Sequence, residues 1–470
     1  MRILIVGAGK VGSSVAANLV SESNDITIVD QSKSSIAEIQ ASFDLQGIVG
    51  DATSPSVLAE AGAADADMII AVTAKDETNL AVTLIADELF NIPSRIARVR
   101  NSELRQYPTL LSSHGFRATS VIWPEQAITN YIVELIQFPE ALQVIEFSSK
   151  DLVLIDIRAV KGSEMDGKPV KHLSEVLPDI PVRVLSIYHP KFRESDITGQ
   201  SVVDGGDEVV FLVRRNDAKT VIRAFRQKVR KSDRVMIVGG GSLGLQLAQA
   251  LDRAETETGG NYNVKLIDPD ESHCLFLSQH LTSSILVLQG EMTDENLFIN
   301  EGIANTDLFI AISGDDEDNV MSCLLAKKLG AHRAIALINR SKYMDLVDGT
   351  EIDVAFSPTE ATLSDLLRHI RHGDVVLAHT LRRDGAEVME IVAHGSPKNS
   401  NVVGRSVGEI VLPAGSTIGA IIRSESGKDT PYMAEGSLAI QDGDRVIVFM
   451  SNKKLIPAIE KLFSPKFSFF

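Results

Sequence analysis

The chain carries one phosphate-binding fingerprint twice, 232 residues apart, and this duplication limits its fold more than any other feature. The first copy runs from Arg2-Ile3-Leu4-Ile5-Val6 into Gly7-Ala8-Gly9-Lys10-Val11-Gly12. The second runs from Arg234-Val235-Met236-Ile237-Val238 into Gly239-Gly240-Gly241-Ser242-Leu243-Gly244. In both, a short apolar strand enters G-x-G-x-x-G and then helical periodicity, the context in which the motif reads as a nucleotide cradle. The first glycine permits the tight turn, the second lets a pyrophosphate approach the backbone, and the third packs helix on sheet. The helix N-terminus then presents unpaired N–H groups and the positive end of its dipole to phosphate.

Apolar segments at 2–6, 26–29, 46–49, 68–72, 96–99 and 119–122 read as strands with helices between them. Spacings of about 20–25 residues fit right-handed parallel crossovers, so the expected class is α/β with a doubly wound parallel sheet. Pro124 closes the last strand, and 125–137 has helical periodicity ending before Pro139. A strand-rich texture follows over 143–160 and 182–213, with a short helix around 172–177 and another over 217–230. That is a small α+β module of about 90 residues, too short for a second Rossmann unit.

The same programme then repeats. From Gly50 to Arg100 the halves align at an offset of 240: Gly50-Asp51-Ala52-Thr53 with Gly290-Glu291-Met292-Thr293, and Thr73, Asp76 and Asn79 with Ser313, Asp316 and Asn319. The small module repeats at an offset of 237, where Gly206-Asp207-Glu208-Val209 aligns with Gly443-Asp444-Arg445-Val446. A polar loop over 255–263 is expected to absorb the difference in length. The organisation predicted is a tandem duplication with domains at 1–138, 139–231, 232–374 and 375–470.

Composition excludes several classes. A chain of 470 residues, 44% apolar and 23% charged, is ordinary globular protein. Its net charge of −17 supplies no basic face for a nucleic-acid partner. Cys274 and Cys323 form no C-x-x-C, which points to a reducing cytoplasm. The chain enters a strand at Arg2 with no signal peptide ahead, and no apolar run nears the roughly 20 residues that cross a bilayer.

Asp30 follows the strand Ile26-Thr27-Ile28-Val29, where a carboxylate accepts hydrogen bonds from ribose hydroxyls and repels a 2′-phosphate. NAD(H) or an adenine nucleotide is therefore favoured over NADP(H). Asp268 holds the same position in the second half. Thr73 and Ala74 end the fourth strand over the cleft, and Arg98 ends the fifth, within reach of phosphate or adenine. Asp51 is a further candidate near the adenosine, with a turn as its alternative role. Asp76 and Asn79 are expected to cap the next helix. Arg98 aligns with Ile338, and Asp51 with Glu291. The second cleft is thus open to three readings: a different nucleotide, weak binding, or no ligand.

A hydride-transfer enzyme needs an acid or base beside the nicotinamide. None of the six tyrosines begins a Tyr-x-x-x-Lys pair, and the ten histidines show no metal-ligand spacing. His369 and His372, beside Arg368 and Arg371, read as a solvated helix face. No catalytic or metal-binding residue is assigned. A soluble NAD-dependent oxidoreductase stands as the alternative reading, and a nucleotide-stabilised scaffold as a third.

Together Gly7 to Gly12, Asp30, residues 50–53 and the Thr73, Asp76, Asn79 stretch resemble the KTN (RCK N-terminal) domain. The small modules, with their Gly-Asp-x-Val turns, resemble the RCK C-terminal domain, and the resemblance spans essentially the whole chain. It implies a regulatory subunit in the cytoplasm that forms a homotetrameric ring beneath a potassium-translocating membrane subunit. Through that subunit it would attach peripherally to the cytoplasmic side of the inner membrane. Family members bind NAD(H) and often ATP or ADP. Gly7, Ala8, Gly9, Lys10, Val11, Gly12, Asp30, Thr73, Ala74 and Arg98 match the family's nucleotide contacts. In the second domain Gly239, Gly240, Gly241, Ser242, Leu243, Gly244 and Asp268 do so.

Overall fold

The computed structural model describes every residue except 21–23, 113, 190–192, 195, 228–231, 259–261, 348, 371–374, 383–384, 426 and 465–470. His372 and the aromatic tail at 465–470 therefore lie outside the described residues, as does the His369 side chain.

The first sheet contains β1 (Arg2–Val6), β2 (Asp25–Asp30), β3 (Gln46–Val49), β4 (Met68–Ala71), β5 (Ser94–Arg98) and β6 (Ser120–Ile122). Their order is β3-β2-β1-β4-β5-β6, with every neighbouring pair parallel. All four residues of β4 are buried, and so are Ile3 to Val6 of β1. Such uninterrupted apolar runs belong to strands covered by helices on both faces. Leu4, Val6, Ile69 and Ala71 pack beneath Val82 and Ala86 of the helix Asp76–Phe90. Strand order reverses between β1 and β4, which opens a crevice at their C-terminal ends.

The second sheet repeats this order with Arg234–Val238, Asn263–Asp268, Ile285–Gln289, Leu308–Ala311, Arg333–Leu337 and Val354–Phe356. Its first helix departs from expectation. Lys10–Val20 has 11 residues, whereas Ser242–Thr258 has 17, so residues 255–258 are helix and not loop. Ala254, Glu255 and Glu257 are good helix formers.

Each small module is a five-stranded antiparallel sheet. The first uses Ala141–Glu146, Leu152–Arg158, Val182–Tyr188, Glu208–Arg214 and the short Arg193–Glu194. Its last helix spans Ala218–Phe225, shorter than the predicted 217–230, because Arg226 turns extended. The second uses Val375–Thr380, Glu387–Val392, Ser416–Glu425, Lys428–Met433 and Arg445–Met450. The two sheets share one apolar layer, with Phe147, Leu154 and Leu212 against Val388, Ile422 and Phe449. A Cβ on Gly419 would come within 2.4 Å of the Leu212 side-chain tip and 3.0 Å of that of Leu185, so a larger residue there would push both leucines aside.

By compactness the chain forms two units, Met1–Ala127 with Thr359–Arg371, and Ile128–Pro358 with His372–Phe470. Most of the helix Pro358–Ile370 thus belongs with the first sheet, and Pro124–Gln137 from Ile128 onward belongs with the second unit. There the Tyr131 ring lies 5.3 Å from that of Phe356. Among the described residues no helix is long and apolar enough to cross a membrane.

Candidate functional site

The glycines of the first loop are held by three different demands. Gly7 has φ +106°, and a Cβ there would stand 3.1 Å from the backbone N of Thr73. A Cβ on Gly12 would fall 1.8 Å from the Gly7 carbonyl oxygen, so the helix could not start where it does. At Gly9 a Cβ would meet nothing within 4 Å. Packing does not ask for glycine at that point, where the backbone faces open space. Lys10, the first residue of the helix Lys10–Val20, is exposed beside it. Val11 is half-buried behind it.

Asp30 ends β2 and accepts the Ala8 N–H at 2.7 Å on Oδ2 and the Ser32 N–H at 2.7 Å on Oδ1. A carboxylate offers about four acceptor positions, so two stay open for hydroxyl donors. At the same sheet edge β5 delivers Arg98, whose side chain is 9% exposed and whose buried Nε has no hydrogen-bond partner. Burial, then the nearby Arg100, pulls its pKa down, against Glu125 and Asp76. A desolvated guanidinium without a bonded anion is costly, and a phosphate would relieve it.

Thr73 stands half-buried and Ala74 exposed past the end of β4. Asp51 accepts the Thr53 N–H at 2.9 Å and hydroxyl at 2.7 Å. Those bonds hold its carboxyl below the usual range, the backbone bond contributing most. In the structure it closes that turn.

The capping roles expected of Asp76 and Asn79 give way to other ones. Lys75 is the N-cap of their helix and makes no side-chain cap bond. Asn79 is fully buried; its Oδ1 accepts from the Thr73 N–H (2.8 Å) and hydroxyl (2.7 Å), and its Nδ2 donates to the carbonyls of Thr73 (3.1 Å) and Arg98 (2.9 Å). Asp76 accepts from the N–H groups of Arg100 and Asn101. Both side chains lock the ends of β4 and β5 together, which fixes where Thr73 and Arg98 sit. Their signal in the sequence was identity between the two halves, since Asp316 and Asn319 make the same ties to Asn339 and to Ser313 and Leu337.

The second cleft repeats the backbone but not the charge. Gly239 has φ +111°, a Cβ on Gly244 would lie 2.1 Å from the Gly239 carbonyl, and Gly241 again faces open space. Asp268 accepts the Gly240 N–H at 2.7 Å and the Asp270 N–H at 2.9 Å. Two features escaped the sequence reading. A Cβ on Gly240 would press on Leu277 (2.6 Å) and Asp268 (2.9 Å), where the first cleft carries Ala8. His273 also sets its Nδ1 3.3 Å from Asp268 Oδ1. Ser242 replaces Lys10 and Asp315 replaces Lys75. The structure corrects the expected alignment of Arg98 with Ile338: the strand is one residue out of that offset, so the buried Leu337 replaces Arg98, ending its strand and giving its carbonyl to Asn319 as Arg98 does to Asn79. Leu243 follows Ser242 as Val11 follows Lys10.

Residues 3–124 and 235–358 match the family model of the TrkA-N domain, and 396–464 that of the TrkA-C domain. Fold and clefts define a protein of two Rossmann domains, each followed by a small β-rich module. Over its whole length the chain is similar to the Trk system potassium uptake protein TrkA of Vibrio alginolyticus, 42% identical over 466 residues and 99% of each chain. It is 41% identical to that of Haemophilus influenzae over 99% of each chain, and 39% to that of Halomonas elongata over 100% of each. The chain belongs to the family of Trk system potassium uptake proteins TrkA. The solved GsuK RCK domain shares the fold, with TM-score 0.59 and 18% identity over 98% of this chain and 94% of that one. So does the GsuK channel bound to NAD, at 0.60 and 18% over 98% and 78%.

Proposed function

We propose that the chain is a regulatory subunit of a potassium uptake system and not a catalyst. In this reading it assembles as a homotetramer against a potassium-translocating membrane subunit on the cytoplasmic face of the membrane. The four domains proposed for it are those at 1–138, 139–231, 232–374 and 375–470. NAD(H), ATP or ADP would occupy the first cleft, held by the Gly7–Gly12 loop, Asp30, Thr73, Ala74 and Arg98. The observation that carries this is the buried, unbonded Nε of Arg98 at the sheet edge shared with the bare loop at Gly9. The potassium uptake named for the relatives, and the NAD named for the GsuK channel, support it from outside.

A nucleotide shifts a conformational equilibrium only through its preference for one state, and a tenfold preference is worth about 1.4 kcal/mol per site. Several coupled sites in one ring would add to that. The test titrates full-length protein with NADH, ATP and ADP, comparing wild type with Arg98→Met. The expected result is weaker binding in the variant with no loss of thermal stability, because the guanidinium removed was buried without a bonded partner. Equal affinity in both proteins would remove Arg98 from the site. Nucleotide-dependent potassium flux through the co-purified membrane subunit tests the regulatory half.

A further inference from the structure

The helix Pro124–Gln137 passes into the first small module through Glu140, whose φ of +77° lies in the left-handed region. Any residue but glycine is strained there, and such strain persists where the side chain is needed. The Glu140 carboxylate is 9% exposed. Its Oε2 accepts from the guanidinium of Arg226, just past the last helix of the first small module. Its Oε1 lies 3.1 Å from Nε2 of His332, ahead of the strand Arg333–Leu337 in the second Rossmann domain. The adjoining Arg333 is buried and donates to the carbonyls of Leu135 (3.2 Å) and Ala141, on either side of Glu140.

We propose that Glu140 and His332 form a proton-sensitive clamp joining the second Rossmann domain to the first small module. Other charged groups face the pair from the elements packed against it. Arg226 bonds Glu140; Lys327 donates to the His332 carbonyl at 2.9 Å and pairs with Asp353 at 2.9 Å. Arg333 completes the set, with Tyr131, Asp353 and Glu140 in its field. Histidine is the side chain whose charge changes between about pH 5 and 8. Once doubly protonated, His332 gives Glu140 a charge-assisted hydrogen bond, stronger than a neutral one. The clamp tightens as pH falls; with His332 neutral, only the weaker neutral bond to Glu140 stands beside that of Arg226. Proton concentration would then govern how firmly the second Rossmann domain drives the small module, with no nucleotide involved.

Hydrogen exchange on the full chain tests this between about pH 6 and about pH 8, corrected for intrinsic rates. In wild type, protection over 138–146 and 218–226 should fall roughly fivefold across that range. In His332→Gln it should be low and independent of pH; in His332→Arg, high and independent of pH. Undiminished protection of the strand Arg2–Val6 shows that each variant is folded. A wild type without the fall, or a His332→Gln variant that keeps it, overturns the proposal.

Discussion

The backbone N–H of Ala8 donates to Oδ2 of Asp30 at 2.7 Å, so the fingerprint loop and the acidic residue 22 positions later form one assembly. Asp30 has a structural task before any ribose arrives. Asp30→Ala removes the loop anchor and the proposed ribose acceptor together, and hydrogen bonds to a charged group are worth about 1.5–3 kcal/mol each. NADH affinity should drop roughly ten- to hundredfold or more. Calorimetric titration checks it. An unchanged dissociation constant would take Asp30 out of the cleft chemistry.

The two helix-start glycines separate the clefts. A Cβ at residue 12 would lie 1.8 Å from the Gly7 carbonyl, and one at residue 244 would lie 2.1 Å from that of Gly239. Neither neighbour is a flexible side-chain tip, so each substitution must displace its own loop. Gly12→Ala is expected to abolish ATP binding, because Lys10, Lys75 and Arg98 stand only in the first half. Gly244→Ala should leave ATP binding intact, Ser242, Asp315 and Leu337 offering no cation at those positions. The readout is saturating stoichiometry per chain for ATP, and separately for NADH. Loss of ATP binding in Gly244→Ala alone would reverse the assignment.

Asn79→Leu should destabilise the first Rossmann domain by about 2–4 kcal/mol, since it strands the Thr73 N–H, the half-buried Thr73 carbonyl and the buried Arg98 carbonyl. Asn319→Leu should do the same in the second, through Ser313 and Leu337. Urea unfolding, followed by exchange protection at residues 73 and 98 or 313 and 337, localises each loss. A loss spread evenly over both domains would contradict the local tie.

Most of the sheet was legible because strands buried on both faces leave apolar runs closed by turn residues. The six segments read at 2–6, 26–29, 46–49, 68–72, 96–99 and 119–122 meet β1 to β6 to within two residues. Periodicity shows that a helix has a buried face but not which sheet it covers. For that reason, the grouping of Pro124–Gln137 and Pro358–Ile370 by compactness could not be read from sequence. Asp76 and Asn79 lie in the first turns of their helix, and only coordinates reveal that their partners are Thr73 past β4, Arg98 at the end of β5, and Arg100 and Asn101 beyond it. The fingerprint glycines were legible for the opposite reason: the turn and the helix start tolerate no other residue. Arg98 could be placed at the cleft from its strand, but its missing bond partner is a property of packing alone.

Glu390 carries a pH dependence of stability with a definite sign. It is fully buried, accepts the Ser148 N–H at 2.9 Å and the Ser148 hydroxyl, and lies 3.7 Å from Arg445. Burial pushes its pKa up, outweighing Ser148 and Arg445. A folded-state value above the unfolded one, about 4.3, means that the fold prefers the protonated carboxyl. Its contribution is complete below the unfolded value and is lost as pH rises through the folded one. Glu390→Gln keeps an acceptor for Ser148 and removes the titration. The Tm of the Gln variant relative to wild type should therefore rise from about pH 4 to about pH 7. Thermal scans at fixed ionic strength decide it, and a difference that stays flat or shrinks with pH would mean that Arg445 offsets the burial of Glu390 in full.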